Sequence, residues 1–198
     1  MKKIYFKQLL YGRAYVFVDV SNIYYSQKTL GWNIDYQKLL ALFRNNGKLI
    51  ASYFYTGFDP DNKKQIEFLE KMESFGYIVK KKEIKWIKDR NTRVVKGKGN
   101  LDIELALDLT HKLNDYDTAV LFSGDSDFTP AIAMVKKKKK RIIVISSRGH
   151  IARELIQMAD TFIPFEKIRV QVERKKSPRT RRGKSSDRIL SKKSRNVK

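Results

Sequence analysis

Cysteine is absent from all 198 residues, which excludes a disulfide framework and any thiolate metal site and fits a reducing compartment. Histidine is nearly absent as well. With only His111 and His150, a typical zinc site is short of ligands. No stretch approaches the ~20 apolar residues of a membrane-spanning helix, and no basic amphipathic helix of interfacial type stands out. The opening Met1 to Lys7 is basic, without the apolar run or the cleavage site of a signal peptide. These absences predict a soluble cytoplasmic protein with no membrane partner. The surroundings of Ser123 lack the Gly-x-Ser-x-Gly elbow, and Gly97 and Gly99 lie in no Walker sequence. Both omissions argue against serine hydrolase and P-loop chemistry.

Acidic residues are outnumbered: 21 Asp and Glu face 43 Lys and Arg, for a formal charge of +22. A polyanionic partner or an acidic membrane surface follows, and nucleic acid is the simpler choice. Part of that charge is concentrated at the end of the chain. Residues 173–198 hold 12 basic and 2 acidic residues, a net +10 of the +22, with almost no apolar side chains to bury. The expected organisation is therefore an N-terminal extension (1–13), one domain (14–172) and a disordered basic tail (173–198). No internal repeat is visible.

Within the domain, Ala14 to Val20 (AYVFVDV) reads as a fully buried strand ending in Asp19. Helical spacing runs from Asp35 to Phe43, and a strand from Leu49 to Tyr55. Asp59-Pro60-Asp61 opens a helix through Phe75, with Ile66, Leu69 and Met72 as its buried stripe. A further strand starts at Tyr77, followed by a basic, glycine-punctuated stretch from Lys88 to Gly99 and a helix from about Leu101 to Leu113. The remaining elements are a strand at Thr118 to Phe122, a helix from Phe128 to Lys138, a strand at Arg141 to Ser146, a helix from Ile151 to Met158 and a short strand at Thr161 to Pro164. Alternating strands and helices predict an α/β fold: a central, mainly parallel sheet between helical layers, with ligands bound at the carboxyl ends of the strands.

The acids fall at that edge. Asp19 ends one buried strand, Asp125 and Asp127 lie just beyond another, and Asp102 occupies the first turn of a helix whose Leu105, Ala106 and Leu109 share its face. Carboxylates drawn together repel, so the cluster needs protons, cationic side chains or a metal. Oxygen-only ligands favour Mg²⁺ or Mn²⁺, either of which can activate water and assist an in-line displacement at phosphorus. Plainer readings exist. Asp127 can cap a helix, Asp102 can favour a helix dipole, Asn22 can stabilise a turn, and Asp108 can pair with Lys112 at i+4. Asp19 has the weakest plain alternative, because a charge gains little at the end of an apolar strand unless something binds it.

Three segments together resemble a known family: Val18-Asp19-Val20-Ser21-Asn22, Lys98-Gly99-Asn100-Leu101-Asp102-Ile103-Glu104-Leu105-Ala106-Leu107-Asp108, and Ser123-Gly124-Asp125-Ser126-Asp127-Phe128. They are similar to the signature segments of the NYN domain, in its LabA-like branch of the PIN-like nuclease superfamily, over about Ala14 to Phe165. The resemblance implies a Rossmann-like PIN fold and divalent-metal-dependent endoribonuclease chemistry. It assigns Asp19, Asp102, Asp125 and Asp127 to the metal site, Asn22 and Ser123 to polar support, and Asp108 to a second acid of the helix.

The nine Lys and Arg between Lys80 and Lys98, with Trp86 interleaved, suit a single-stranded or looped RNA whose phosphates meet cations and whose bases meet an aromatic. Trp86 can equally be core. Lys96, Lys98 and Arg148 are the candidate RNA-binding side chains. The run Lys136 to Arg141 is either a solvated helix end or a phosphate-binding edge. A rival reading keeps the fold and the RNA but not the cleavage. A phosphatase of small esters conflicts with the charge, and a homo-oligomer is possible but not legible.

Overall fold

The structure, a computed structural model, describes residues 6–88 and 95–175, with no side-chain account for residues 87–98. Six strands form one sheet in the order β3-β2-β1-β6-β7-β8: β1 (Arg13–Asp19), β2 (Lys48–Phe58), β3 (Ile78–Glu83), β6 (Thr118–Phe122), β7 (Arg141–Ser146) and β8 (Thr161–Pro164). Every adjacent pair is parallel. The strands β4 (Lys85–Lys88) and β5 (Val95–Lys98) form a separate antiparallel hairpin.

Because side chains alternate along a strand, the central strands feed two cores. Val16, Val18, Val120, Phe122, Ile143 and Ile145 face one layer. That layer contains α1 (Phe6–Leu9), α2 (Val20–Leu30), α3 (Tyr36–Arg44), α4 (Lys63–Phe75) and α8 (Arg169–Val172). Tyr15, Phe17, Ala119, Leu121, Ile142 and Val144 face the other, made by α5 (Asp102–His111), α6 (Thr129–Lys137) and α7 (Arg153–Met158). The expected three-layer α/β architecture is therefore present.

Differences from the sequence reading have local causes. The helix α2 lacks a usable apolar stripe, burying only Ile23 and Ser26 while exposing Tyr24 and Tyr25. The helix α4 starts at Lys63, because Asn62 accepts from the Gln65 N–H while Asp59 accepts from the Asp61 N–H in the preceding turn. At the chain's ends the domain is wider than its sequence boundaries suggest. Phe6 lies edge-on against Phe43 at 5.5 Å, Glu173 bridges Ile34, and the Arg174 N–H donates to the Asn33 carbonyl. The rest of the basic tail, from residue 176, lies outside the described residues.

Trp86 is not core. It is 60% exposed on β4, where the strand register sets it opposite Gly97, a residue with no side chain to cover it. The lysine run at the end of α6 belongs to the amino-terminal edge of the sheet, away from the acids. There Lys136 binds the Met158 carbonyl and Asp160, Lys140 reaches Asp117, and Arg141 donates to the Leu9 carbonyl. Three of its six cations thus serve the fold.

Candidate nuclease site

Asp19 is the last residue of β1 and the N-cap of α2. Its strand is buried along almost its whole length, and the residue itself is only 6% exposed. Burial of a carboxylate requires partners, and both oxygens have them. Oδ1 accepts from Ser21 Oγ at 2.6 Å and from the Asn22 N–H at 3.2 Å, and Oδ2 accepts from Ser123 Oγ at 2.9 Å. The plain role that the sequence reading undervalued for Asp19, a helix cap, is real and coexists with its place in the cluster.

β6 lies beside β1, so the segment that follows it arrives next to Asp19. Ser123 is fully buried, and its Oγ also accepts from the Asp125 N–H at 3.3 Å. Asp125 Oδ1 accepts from the Asp127 N–H at 3.0 Å, capping the short 3-10 turn Ser126–Phe128. Asp125, and not Asp127, is therefore the capping residue here, and Asp127 is left exposed inside the turn. Gly124 makes the close approach possible. A Cβ there would collide with the His150 carbonyl and come within 2.8 Å of Ser146 Oγ.

The third segment enters from the hairpin. Gly57, near the end of β2, and Gly99 meet backbone to backbone, since a Cβ on Gly57 would lie 2.6 Å from the Gly99 carbonyl oxygen. That contact delivers Asn100 to Asp102 to the same edge. Asn100 Oδ1 accepts from the Asp102 N–H at 2.8 Å, while its Nδ2 donates to the Asp102 carboxylate. Asp102 is half-buried at the start of α5, and its carboxyl titrates above the usual carboxylate range. Burial is the largest cause; the charges of Asp19, Asp125 and Asp127 push the same way, and the Asn100 hydrogen bond opposes them. Four acids from three separate segments thus share one electrostatic neighbourhood.

The remaining predicted residues sort differently. Asn22 Oδ1 accepts from Ser146 Oγ at 3.2 Å, tying the start of α2 to the end of β7. Asp108 points elsewhere: it accepts from Tyr55 Oη at 2.9 Å and pairs with Lys112 at 3.4 Å, and it is not among the charges that displace Asp102. Arg148 is exposed in the loop after β7, on the acidic edge, with its N–H directed at Glu166 Oε1. The side chains of Lys96 and Lys98 lie outside the described residues. Ser21, Asn100 and Ser146 were not singled out from sequence. For Asn100 a signal existed, since Asn two residues before an Asp that opens a helix is an Asx-turn spacing.

The donors offered by this edge are carboxylate, hydroxyl and amide oxygens, the set a hard divalent cation takes. A cation there would also relieve the repulsion that displaces Asp102. Among the described residues, however, no three acidic or imidazole groups already stand in ligand positions around one point. As placed, the carboxylates bond their own chain.

Comparison with known proteins bears on family and fold. A family model described as the NYN domain matches residues 13–168. Low amplitude and bright protein LabA of Synechococcus elongatus is 37% identical over 171 residues, covering 84% of this chain and 91% of that protein. The uncharacterized protein MJ0482 of Methanocaldococcus jannaschii is 33% identical over 84 residues, 39% of this chain and 35% of its own. A crystal structure of a protein of unknown function from Vibrio parahaemolyticus, VPA0982, superposes with a TM-score of 0.67 at 23% identity, over 83% of this chain and 96% of that one. The last likeness concerns the fold alone.

Proposed function

Because the chain belongs to the NYN domain family of PIN-like nucleases, we propose that it is a divalent-metal-dependent endoribonuclease. Its substrate is single-stranded or looped RNA, and its site is the acidic edge formed by Asp19, Asp102, Asp125 and Asp127. The observation that carries the reading is the meeting of three segments at one sheet edge: Ser123 Oγ donates to Asp19 Oδ2 just before Asp125, and the Gly57–Gly99 contact brings Asp102 to the same edge. Carboxylates gathered in this way repel one another, and a divalent cation offsets that repulsion.

When bound, Mg²⁺ or Mn²⁺ supplies a Lewis acid for the scissile phosphate and lowers the pKa of attacking water. The chain's own part is positional. Ser21, the Asn22 N–H and Ser123 fix the Asp19 carboxylate, Asn100 fixes Asp102, and the Gly124 approach fixes Asp125 and Asp127. No side chain serves as nucleophile. Exposed Trp86, with exposed Lys80, Lys81, Lys82 and Lys85 near it in sequence, supports a single strand as substrate, and Lys96, Lys98 and Arg148 are assigned to its phosphates. Asp108 is assigned a structural role through Tyr55 and Lys112.

A second reading, an RNA binder that does not cut, draws support from the lack of a ready ligand geometry among the described residues. Incubation of end-labelled RNA with EDTA, Mg²⁺ or Mn²⁺ separates the two. The nuclease cuts only with a cation, and Asp125→Asn lowers the rate at least a hundredfold. Retarded but intact RNA in every cation establishes the binder.

A further inference from the structure

The helix α2 begins at the acidic edge and, beyond Ser21, carries a surface that neither the core nor the carboxylates use. Ser21, Tyr24, Tyr25 and Lys28 are spaced i, i+3, i+4 and i+7, so they form one stripe along it. All four are exposed, and the two tyrosines are 51% and 58% exposed, large values for aromatic side chains beside a buried strand. The opposite face of the helix, with Ile23 and Ser26, is the one that packs. The stripe is continuous with the site at one end, because Ser21 Oγ donates to Asp19 Oδ1 at 2.6 Å. Over seven residues of helix it extends about 10 Å from there.

Its chemistry is aromatic and cationic. The Tyr24 and Tyr25 rings stand at 72° with centroids 5.6 Å apart, and Lys28 Nζ lies 4.6 Å from the centre of the Tyr24 ring. No acidic residue occurs on α2. Further along, Thr29 Oγ1 and His150 Nε2 are 2.6 Å apart, which fastens to α2 the loop carrying exposed Arg148. Two half-exposed tyrosine rings beside a lysine offer an unpaired nucleobase a stacking surface and its phosphate a cation. A duplex, whose bases are already stacked, gains nothing from them.

We propose that Tyr24, Tyr25 and Lys28 form a base-stacking subsite for the nucleotides flanking the scissile phosphate, and that this subsite selects single-stranded over double-stranded RNA. The inference rests on the reading that RNA is the substrate. It does not require that the protein cleave it.

The test is binding of fluorescently labelled oligonucleotides to the full chain in EDTA, where cleavage is silent. Three ligands of equal length are compared: a single strand, a duplex, and a single strand with abasic positions. The double variant Tyr24→Ala with Tyr25→Ala is expected to bind the single strand about tenfold more weakly and the duplex as the wild type does. The double variant Tyr24→Phe with Tyr25→Phe keeps the π-faces and is expected to stay within about twofold of wild type. Abasic strand is expected to bind the wild type as weakly as intact strand binds the alanine variant. Unchanged single-strand affinity in the alanine variant overturns the subsite, as does an equal loss for duplex. Failure of the phenylalanine pair to retain binding overturns stacking in favour of the hydroxyls. A change of sedimentation on alanine substitution, without a change of affinity, marks the stripe as a contact between copies of the chain instead. Wild-type protein that binds single-stranded RNA and never cuts it removes the nuclease reading and leaves the subsite standing; wild-type protein that binds no RNA overturns both.

Discussion

Two aspartates of the cluster, Asp19 and Asp102, have opposite relations to the fold. Asp19 is fully partnered: it accepts from two hydroxyls and one backbone N–H. An amide in its place offers one acceptor oxygen for three donors, so Asp19→Asn is expected to cost about 1 kcal/mol or more. Asp102 is held above the usual carboxylate range by burial and by its three acidic neighbours. Its ionised form is therefore a burden, one that is absent at acid pH, where both states are protonated, grows as pH rises from the unfolded-state value towards the folded-state value, and is complete above the latter. Asp102→Asn removes that burden while an amide oxygen can still accept from Asn100. Without divalent cation, Asp102→Asn is expected to melt above wild type and Asp19→Asn below it, by calorimetry at neutral pH. On adding Mn²⁺ the wild type should gain more than either variant. A fall in melting temperature for Asp102→Asn would mean that its charge is compensated within the protein. The sequence separated Asp19, at the end of an apolar strand, from Asp102, in the first turn of a helix, but not their opposite effects on stability. The partners that distinguish them come from up to 104 residues away.

Among the elements, the strands were the easiest to read, and the reason is burial. β1, β6 and β7 are apolar on both faces because each face meets a helical layer. The helix α2 was not legible because its exposed side carries tyrosines where a solvated helix would carry charge. The hairpin β4–β5 was read only as a basic stretch, since two four-residue strands with two lysines each are too short to show an apolar period. The loop after β6 is the element on which the site depends most narrowly. Gly124 has no room for a Cβ, its neighbours being the backbone carbonyl of His150 and Ser146 Oγ, and backbone cannot rotate away as a side chain can. Gly124→Ala is expected to destabilise the domain by about 1–3 kcal/mol or more and to displace Asp125 and Asp127 from Asp19. A urea midpoint unchanged by the substitution would show that this loop has slack the structure does not suggest.

Among the described residues, the candidate acids and a set of structural ion pairs lie at opposite edges of the sheet. The carboxyl-terminal edge gathers acids, and the amino-terminal edge is tied together by ion pairs. At the latter, Asp117 accepts from the Arg13 N–H at 2.9 Å and Arg13 Nε at 3.2 Å, and pairs with Lys140 at 3.2 Å. These bonds, Arg13 first, hold its carboxyl well below the usual range. Since the folded-state value is the lower one, the stability it provides is complete above the unfolded-state value near about 4 and is lost as pH falls below it. Asp117→Asn should therefore lower the melting temperature at neutral pH and make it less steep in acid, the two curves drawing together as pH falls from the unfolded-state value through the folded-state one. Parallel curves would show that Asp117 does not titrate with folding. The acidic edge carries the heavier claim, that these four carboxylates take up a divalent cation. Anomalous diffraction from crystals soaked in Mn²⁺ tests it most directly. The account predicts a peak within coordination distance of Asp19 or Asp125 together with Asp102 or Asp127, and its loss in Asp102→Asn crystals. A manganese peak elsewhere with this edge empty, at a concentration that supports RNA cleavage, would contradict it.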